Sequence, residues 1–171
     1  MDSAKVLVAF ASKMGSTEGI ADEVVGRLRA AGLDVDRERV EDVRAVTPYC
    51  AVVLGSAVYL DRWRQEAITF LRRFDPELAE RRVWLFQSGP LDDSAERKDI
   101  PLPKRVRAHA DRIHVQGHAT FGGRLDPEHT EGYVAKRMVQ HGLGKDFRDF
   151  GHIRAWADAI ATELGACAPV A

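Results

Sequence analysis

The sequence predicts a doubly wound α/β domain: a five-stranded parallel sheet in the order 2-1-3-4-5, with helices on both faces. Three observations lead there. Unbroken apolar runs recur at Val6 to Ala11, Ala51 to Leu54 and Val83 to Phe86, as strands covered on both faces require. Segments with apolar residues at helical spacing lie between them. Strand–helix alternation of this kind, joined by right-handed crossovers, makes the strands parallel. The 171 residues suit one domain, spanning 1–171.

Taken in order, Val6 to Ala11 is the first strand. Ile20, Val24, Val25 and Leu28 mark a helix that stops at Gly32. Leu33 to Glu38 alternates apolar and charged residues, which suits a strand nearer the sheet edge. Ala51 to Ser56 is the third strand, and Ala67, Ile68 and Leu71 form one face of a helix ending near Phe74-Asp75-Pro76. Val83 to Phe86 is the fourth strand. Asp93 to Pro103 reads as a loop, Lys104 to Ala110 as a short helix and Ile113 to Phe121 as the fifth strand. Glu131 to His141 is loosely helical. Ile153, Trp156, Ala157, Ile160 and Leu164 define a final helix introduced by Asp149.

Composition narrows the function. With 25 basic and 26 acidic side chains the formal charge is −1, which argues against nucleic acid as a partner. Arg81-Arg82 and Lys104-Arg105-Val106-Arg107 read as solvated surface. No apolar stretch is long enough to span a membrane, and Met1 to Lys5 lacks a signal-peptide pattern, so the expected location is cytoplasmic. Cys50 reads as a core residue and Cys167 as a tail residue, neither with metal-type neighbours.

In doubly wound sheets, ligands bind outside the carboxyl ends of the strands, near the switch point. The loops after Ala11, Ser56, Ser88 and Phe121 are therefore the candidates. The first, Ser12-Lys13-Met14-Gly15-Ser16-Thr17, has what a monophosphate needs. Gly15 permits close backbone approach, Ser12, Ser16 and Thr17 carry hydroxyls, Lys13 adds charge, and N–H groups point outward at a helix N-terminus. The competing reading is a polar turn whose serine and threonine cap the helix. Other loop chemistries are excluded: there is no G-x-x-x-x-G-K-[ST] and no G-x-G-x-x-G after the first strand. No cysteine nucleophile stands in the loop, and Gly55-Ser56 occupies the place where a receiver domain would carry an aspartate.

Ser12, Gly15 and Thr17 match the pattern [ST]-x-x-G-x-T, and in this the chain resembles the flavodoxin family. The run Val6 to Thr17, the segment Gly55-Ser56-Ala57-Val58-Tyr59 and the ending Phe121-Gly122-Gly123 resemble the flavodoxin-domain branch that contains menaquinone-dependent protoporphyrinogen dehydrogenase. The resemblance implies a flavodoxin fold and FMN as cofactor. Met14 departs from the small polar residue typical of flavodoxins.

An isoalloxazine ring wants a flat apolar slot with backbone groups at its polar edge. Ala57, Val58 and Tyr59 from the second loop, and Ser88, Gly89 and Pro90 from the third, are the expected ring neighbours, with Gly122 and Gly123 closing the site. Trp63 either stacks on the ring or packs at the next helix, and Arg124 reads as a surface residue. Asp92-Asp93 reads as the start of a turn. His114 and His118 project from one strand face but lack a third ligand for a metal. The chain is then an FMN oxidoreductase acting on a porphyrin precursor or a quinone, an electron carrier serving a redox partner, or a binding module that has lost its flavin. Near-neutral charge counts against the strongly acidic carrier type.

Overall fold

A computed structural model describes residues 5–13, 15–89, 100–124 and 146–165. The elements are β1 (Lys5–Ala11), α1 (Ser16–Ala30), β2 (Asp34–Arg39), β3 (Ala51–Tyr59), β4 (Arg62–Trp63), α2 (Gln65–Arg73), α3 (Asp75–Ala79), β5 (Arg82–Ser88), α4 (Lys104–Ile113), β6 (Gly117–Phe121) and α5 (Phe150–Gly165). The long strands pair in parallel in the order β2-β1-β3-β5-β6, the expected five-strand arrangement. The two-residue β4 is an addition, folding back antiparallel on β3.

Alternation along each central strand explains the unbroken apolar runs. Leu7, Ala9, Val52, Leu54, Val83 and Leu85 face one side, where they bury Ala67 and Leu71 of α2, Leu78 of α3, and Val106 of α4. Val6, Val8, Phe10, Val53, Trp84 and Phe86 face the other, against Ile20, Val24 and Leu28 of α1 and Ile153, Ala157 and Ile160 of α5. Both sheet faces are thus dry, which leaves the strand ends as the places where polar groups meet solvent.

Local signals act where expected at several ends. Gly32 takes φ +89 just beyond α1. Asp149 Oδ1 accepts the His152 N–H at 3.0 Å, capping α5. On the β2 edge, Glu18 of α1 pairs with Arg37 at 2.7 Å and Arg39 at 3.2 Å, while both guanidinium groups lie over the Phe10 ring.

Other expectations need correction. The fifth strand begins at Gly117 rather than Ile113. Val106, Ala110 and Ile113 are the buried stripe of α4, so Ile113 follows helical spacing. His114 then closes that helix in the left-handed region, with φ 55, and Val115 N–H bonds back to Ala110 C=O. Consequently His114 and His118 do not share a strand face. Cys50 is exposed rather than in the core. Arg81 is not a solvated charge: its Nε donates to the carbonyls of Val46 and Tyr49 at 3.0 and 3.1 Å, fastening the loop before β3 to the turn before β5. Residues 93–99 of the expected loop, Asp92-Asp93, the helical pattern Glu131 to His141 and Cys167 lie outside the described residues.

The β3–β4 hairpin is longer than its apolar run suggests, and its tip is strained. Leu60 and Asp61 both take positive φ, 49° and 56°, the type I′ conformation that favours Asn-Gly. Replacing the pair by Leu60→Asn with Asp61→Gly is expected to stabilise the protein by about 1 kcal/mol. Urea denaturation checks this, and an unchanged midpoint would rule out strain at the tip.

Candidate cofactor site

Sheet register brings the four candidate loops into one row. Ala11 pairs with Ser56, Ala57 with Ser88, and Ser88 with Phe121. The chain therefore leaves β1, β5 and β6 at one level along the sheet, while β3 continues past it to Tyr59. A ligand lying across this edge meets all four segments.

The β1–α1 turn is built around Gly15. Its φ of +78° is a left-handed conformation that a side chain opposes, and a Cβ placed there meets no protein atom within 4 Å. Gly15 N–H donates to Ser12 Oγ at 3.1 Å, and Gly15 C=O accepts the Gly19 N–H at 3.0 Å, starting α1. Among the described residues, no side chain caps α1. Ser16 and Thr17 do not cap the helix, because their hydroxyls are engaged elsewhere. Ser16 Oγ accepts the Arg124 N–H at 3.0 Å. The Thr17 and Ser88 hydroxyls share a hydrogen bond of 2.9 Å. Ser12 is half-buried, Lys13 and Gly15 are exposed, and Ser16 and Thr17 are buried; Met14 lies outside the described residues. An uncapped N-terminus, with its helix dipole and a glycine turn facing open space, fits an anionic phosphate monoester.

At the end of β3, Ala57 and Val58 are half-buried and Tyr59 is 59 % exposed. Trp63 pairs across the hairpin with Val58 and packs into the same core cluster. It is buried, and its Nε1–H donates to Gln87 Oε1 at 3.0 Å, so it packs in the core at the start of α2 instead of lining the row of loops. Gly89 N–H donates to Phe121 C=O at 3.4 Å, holding the loop after β5 beside β6. Pro90 lies outside the described residues.

Gly122 and Gly123 meet a segment that sequence reasoning did not place. A Cβ on Gly122 would stand 1.9 Å from the Phe147 carbonyl oxygen, and Phe147 N–H donates to Gly123 C=O at 3.0 Å. Arg124 and Asp146 form an antiparallel bridge. Next to it, Arg148 holds Asp146 through two bonds, Nε to Oδ1 at 2.9 Å and Nη2 to Oδ2 at 2.7 Å, with only 8 % of its side chain exposed. The guanidinium holds the Asp146 carboxyl below the usual carboxylate range. It also reaches the first turn of α1, where a Cβ on Gly19 would lie 2.4 Å from its Nη1.

A buried polar network missed by sequence reasoning braces the same edge. Gln87, 1 % exposed, accepts from Trp63 and donates from Nε2 to Thr120 Oγ1 at 2.9 Å, and Thr120 donates to the Ile100 carbonyl at 3.1 Å. A lone glutamine inside an apolar strand is the signal that could have revealed it, since such an amide must find partners.

Residues 7–142 match the family model described as the flavodoxin domain. The chain belongs to the flavodoxin domain family. FMN is the cofactor of this flavodoxin domain. Nothing among the curated proteins matches the chain. Among solved structures, the domain is similar to a flavodoxin of Streptococcus pneumonia TIGR4, at 20 % identity and a TM-score of 0.61, covering 96 % of this chain and 100 % of that one. It is similar to Flavodoxin 2 from Bacillus cereus at 22 % identity and 0.59, covering 95 % and 99 %. It also resembles part of the rubredoxin oxygen:oxidoreductase of Desulfovibrio gigas at 13 % identity and 0.63, covering 95 % of this chain and 36 % of that one. At such identities these likenesses speak for the fold alone. No helix among the described residues is long and apolar enough to cross a membrane.

Proposed function

We propose that this flavodoxin domain is a redox protein that binds FMN along the row of loops and exchanges electrons with a partner. The phosphate is received at Ser12, Lys13, Met14, Gly15, Ser16 and Thr17. The observation that carries this assignment is the uncapped start of α1 at a left-handed glycine facing open space. The ring lies against Ala57, Val58 and Tyr59, with Ser88, Gly89 and Pro90 at its edge and Gly122-Gly123 beyond.

When bound, FMN supplies the electron-transfer chemistry itself. The chain's own work is to bind, orient and screen. Ser16 keeps a hydroxyl proton to donate, since its oxygen already accepts from Arg124. The α1 dipole balances phosphate charge. Tyr59, largely exposed on the hairpin, offers an aromatic surface beside the row.

FMN titrated into apoprotein should bind with its absorbance perturbed. An absence of binding would favour a flavin-less module on the same fold. A finer reading, oxidation of a porphyrin precursor with electrons passed to a quinone, rests on the resemblance to that branch, and the net charge of −1 counts only against a strongly acidic carrier. Anaerobic turnover of protoporphyrinogen with a quinone tests it. Electron delivery to a redox protein alone, with no porphyrinogen consumed, would make the chain a carrier.

A further inference from the structure

We propose that the hydrogen bond between Thr17 and Ser88 sets the span between the phosphate end and the ring end of the flavin site, which makes Ser88 a positioning residue for FMN. This rests on the reading of the Ser12–Thr17 turn as the phosphate receptor. Thr17 is the second residue of α1 and Ser88 the last of β5. Their hydroxyl oxygens lie 2.9 Å apart, with Thr17 0 % and Ser88 3 % exposed.

The topology makes this contact consequential. β1 and β5 are not neighbours, because β3 runs between them. Two interstrand spacings, roughly 9–10 Å, therefore separate the strand that leads into the phosphate turn from the strand that leads into the ring loop. No backbone ladder joins them directly. The hydroxyl pair does, crossing the sheet's carboxyl edge from the first turn of α1 to the end of β5. Both groups are buried, so the bond is shielded from competing water. Each also leaves its partner unsatisfied if deleted.

A ligand whose ring and phosphate are covalently joined gains from having that span preset. A ligand with only one of the two groups does not, because it occupies a single half of the site. The bond is therefore expected to favour FMN over riboflavin without any contact between Ser88 and the phosphate.

The test titrates FMN and riboflavin separately into apoprotein of the native chain, Thr17→Val, Ser88→Ala, the double variant and Thr17→Ser. Each hydroxyl deletion should weaken FMN about three- to tenfold more than it weakens riboflavin, the worth of one buried hydrogen bond. The double variant should be no weaker than the single ones, since all three lose the same bond. Thr17→Ser, which keeps the hydroxyl, should bind like the native chain. Retained riboflavin binding reports an intact ring slot in each variant. An unchanged ratio of FMN to riboflavin affinity in both deletions, or additive losses in the double variant, would overturn the proposal while leaving the phosphate turn standing. Loss of both ligands in equal measure would also overturn it, showing that the pair holds the fold and not the span. A native chain that binds riboflavin as tightly as FMN would remove the phosphate turn itself, and the proposal with it.

Discussion

Gly15→Val is expected to weaken FMN binding by about 100-fold while the protein stays folded. A β-branched residue at φ +78° is strained by roughly 1–2 kcal/mol. The turn relieves that strain by rotating its peptides, which turns N–H groups away from the phosphate. Each N–H to a charged oxygen contributes about 1.5–3 kcal/mol, so losing one or two reaches two orders of magnitude. The fold survives because a Cβ at this position meets no atom within 4 Å. Flavin fluorescence titration beside a thermal melt separates the two effects. Native affinity in a folded Gly15→Val protein would mean that the phosphate lies elsewhere.

The second large effect is structural. Gly122→Ala places a methyl group 1.9 Å from the Phe147 carbonyl oxygen and 2.6 Å from its carbon. These are backbone atoms, which no rotamer change can move aside. The two segments must separate, stretching the Phe147-to-Gly123 hydrogen bond and the Arg124–Asp146 bridge. A destabilisation of about 2–3 kcal/mol is expected, in the range of severe overpacking. Urea unfolding should show a lower midpoint at unchanged slope. Because Arg124 N–H also bonds Ser16 Oγ, FMN affinity should fall as well. Full stability in this variant would show that the Phe147 approach is looser than described.

Much of the architecture was legible in the chain because both sheet faces are covered. Unbroken runs such as Val6 to Ala11 can only be strands of that kind, and their alternation with helical stripes leaves few topologies. The loops were legible too, since strand ends mark where they must lie. Reading failed where two periodicities overlap. Ile113 sits between a helix and a strand and serves the helix, a choice made by its burial with Val106 and Ala110. Arg81 reads as a surface charge until the carbonyls of Val46, Thr47 and Tyr49 in a distant turn are seen to surround it. Cys50, apolar by type, is exposed just before β3 begins at Ala51.

The sequence alone determined the sheet, its order and the resemblance that brings FMN, because periodicity and a short glycine motif are local properties. Tertiary structure alone decided that Ser88 meets Thr17, that Gln87 braces Trp63, and that the segment Asp146 to Arg148 closes on Gly122 and Gly19. Each of those contacts joins residues far apart in the chain through polar groups or close backbone approach. Such contacts leave no periodic trace, since their partners are chosen by where the strands end in space.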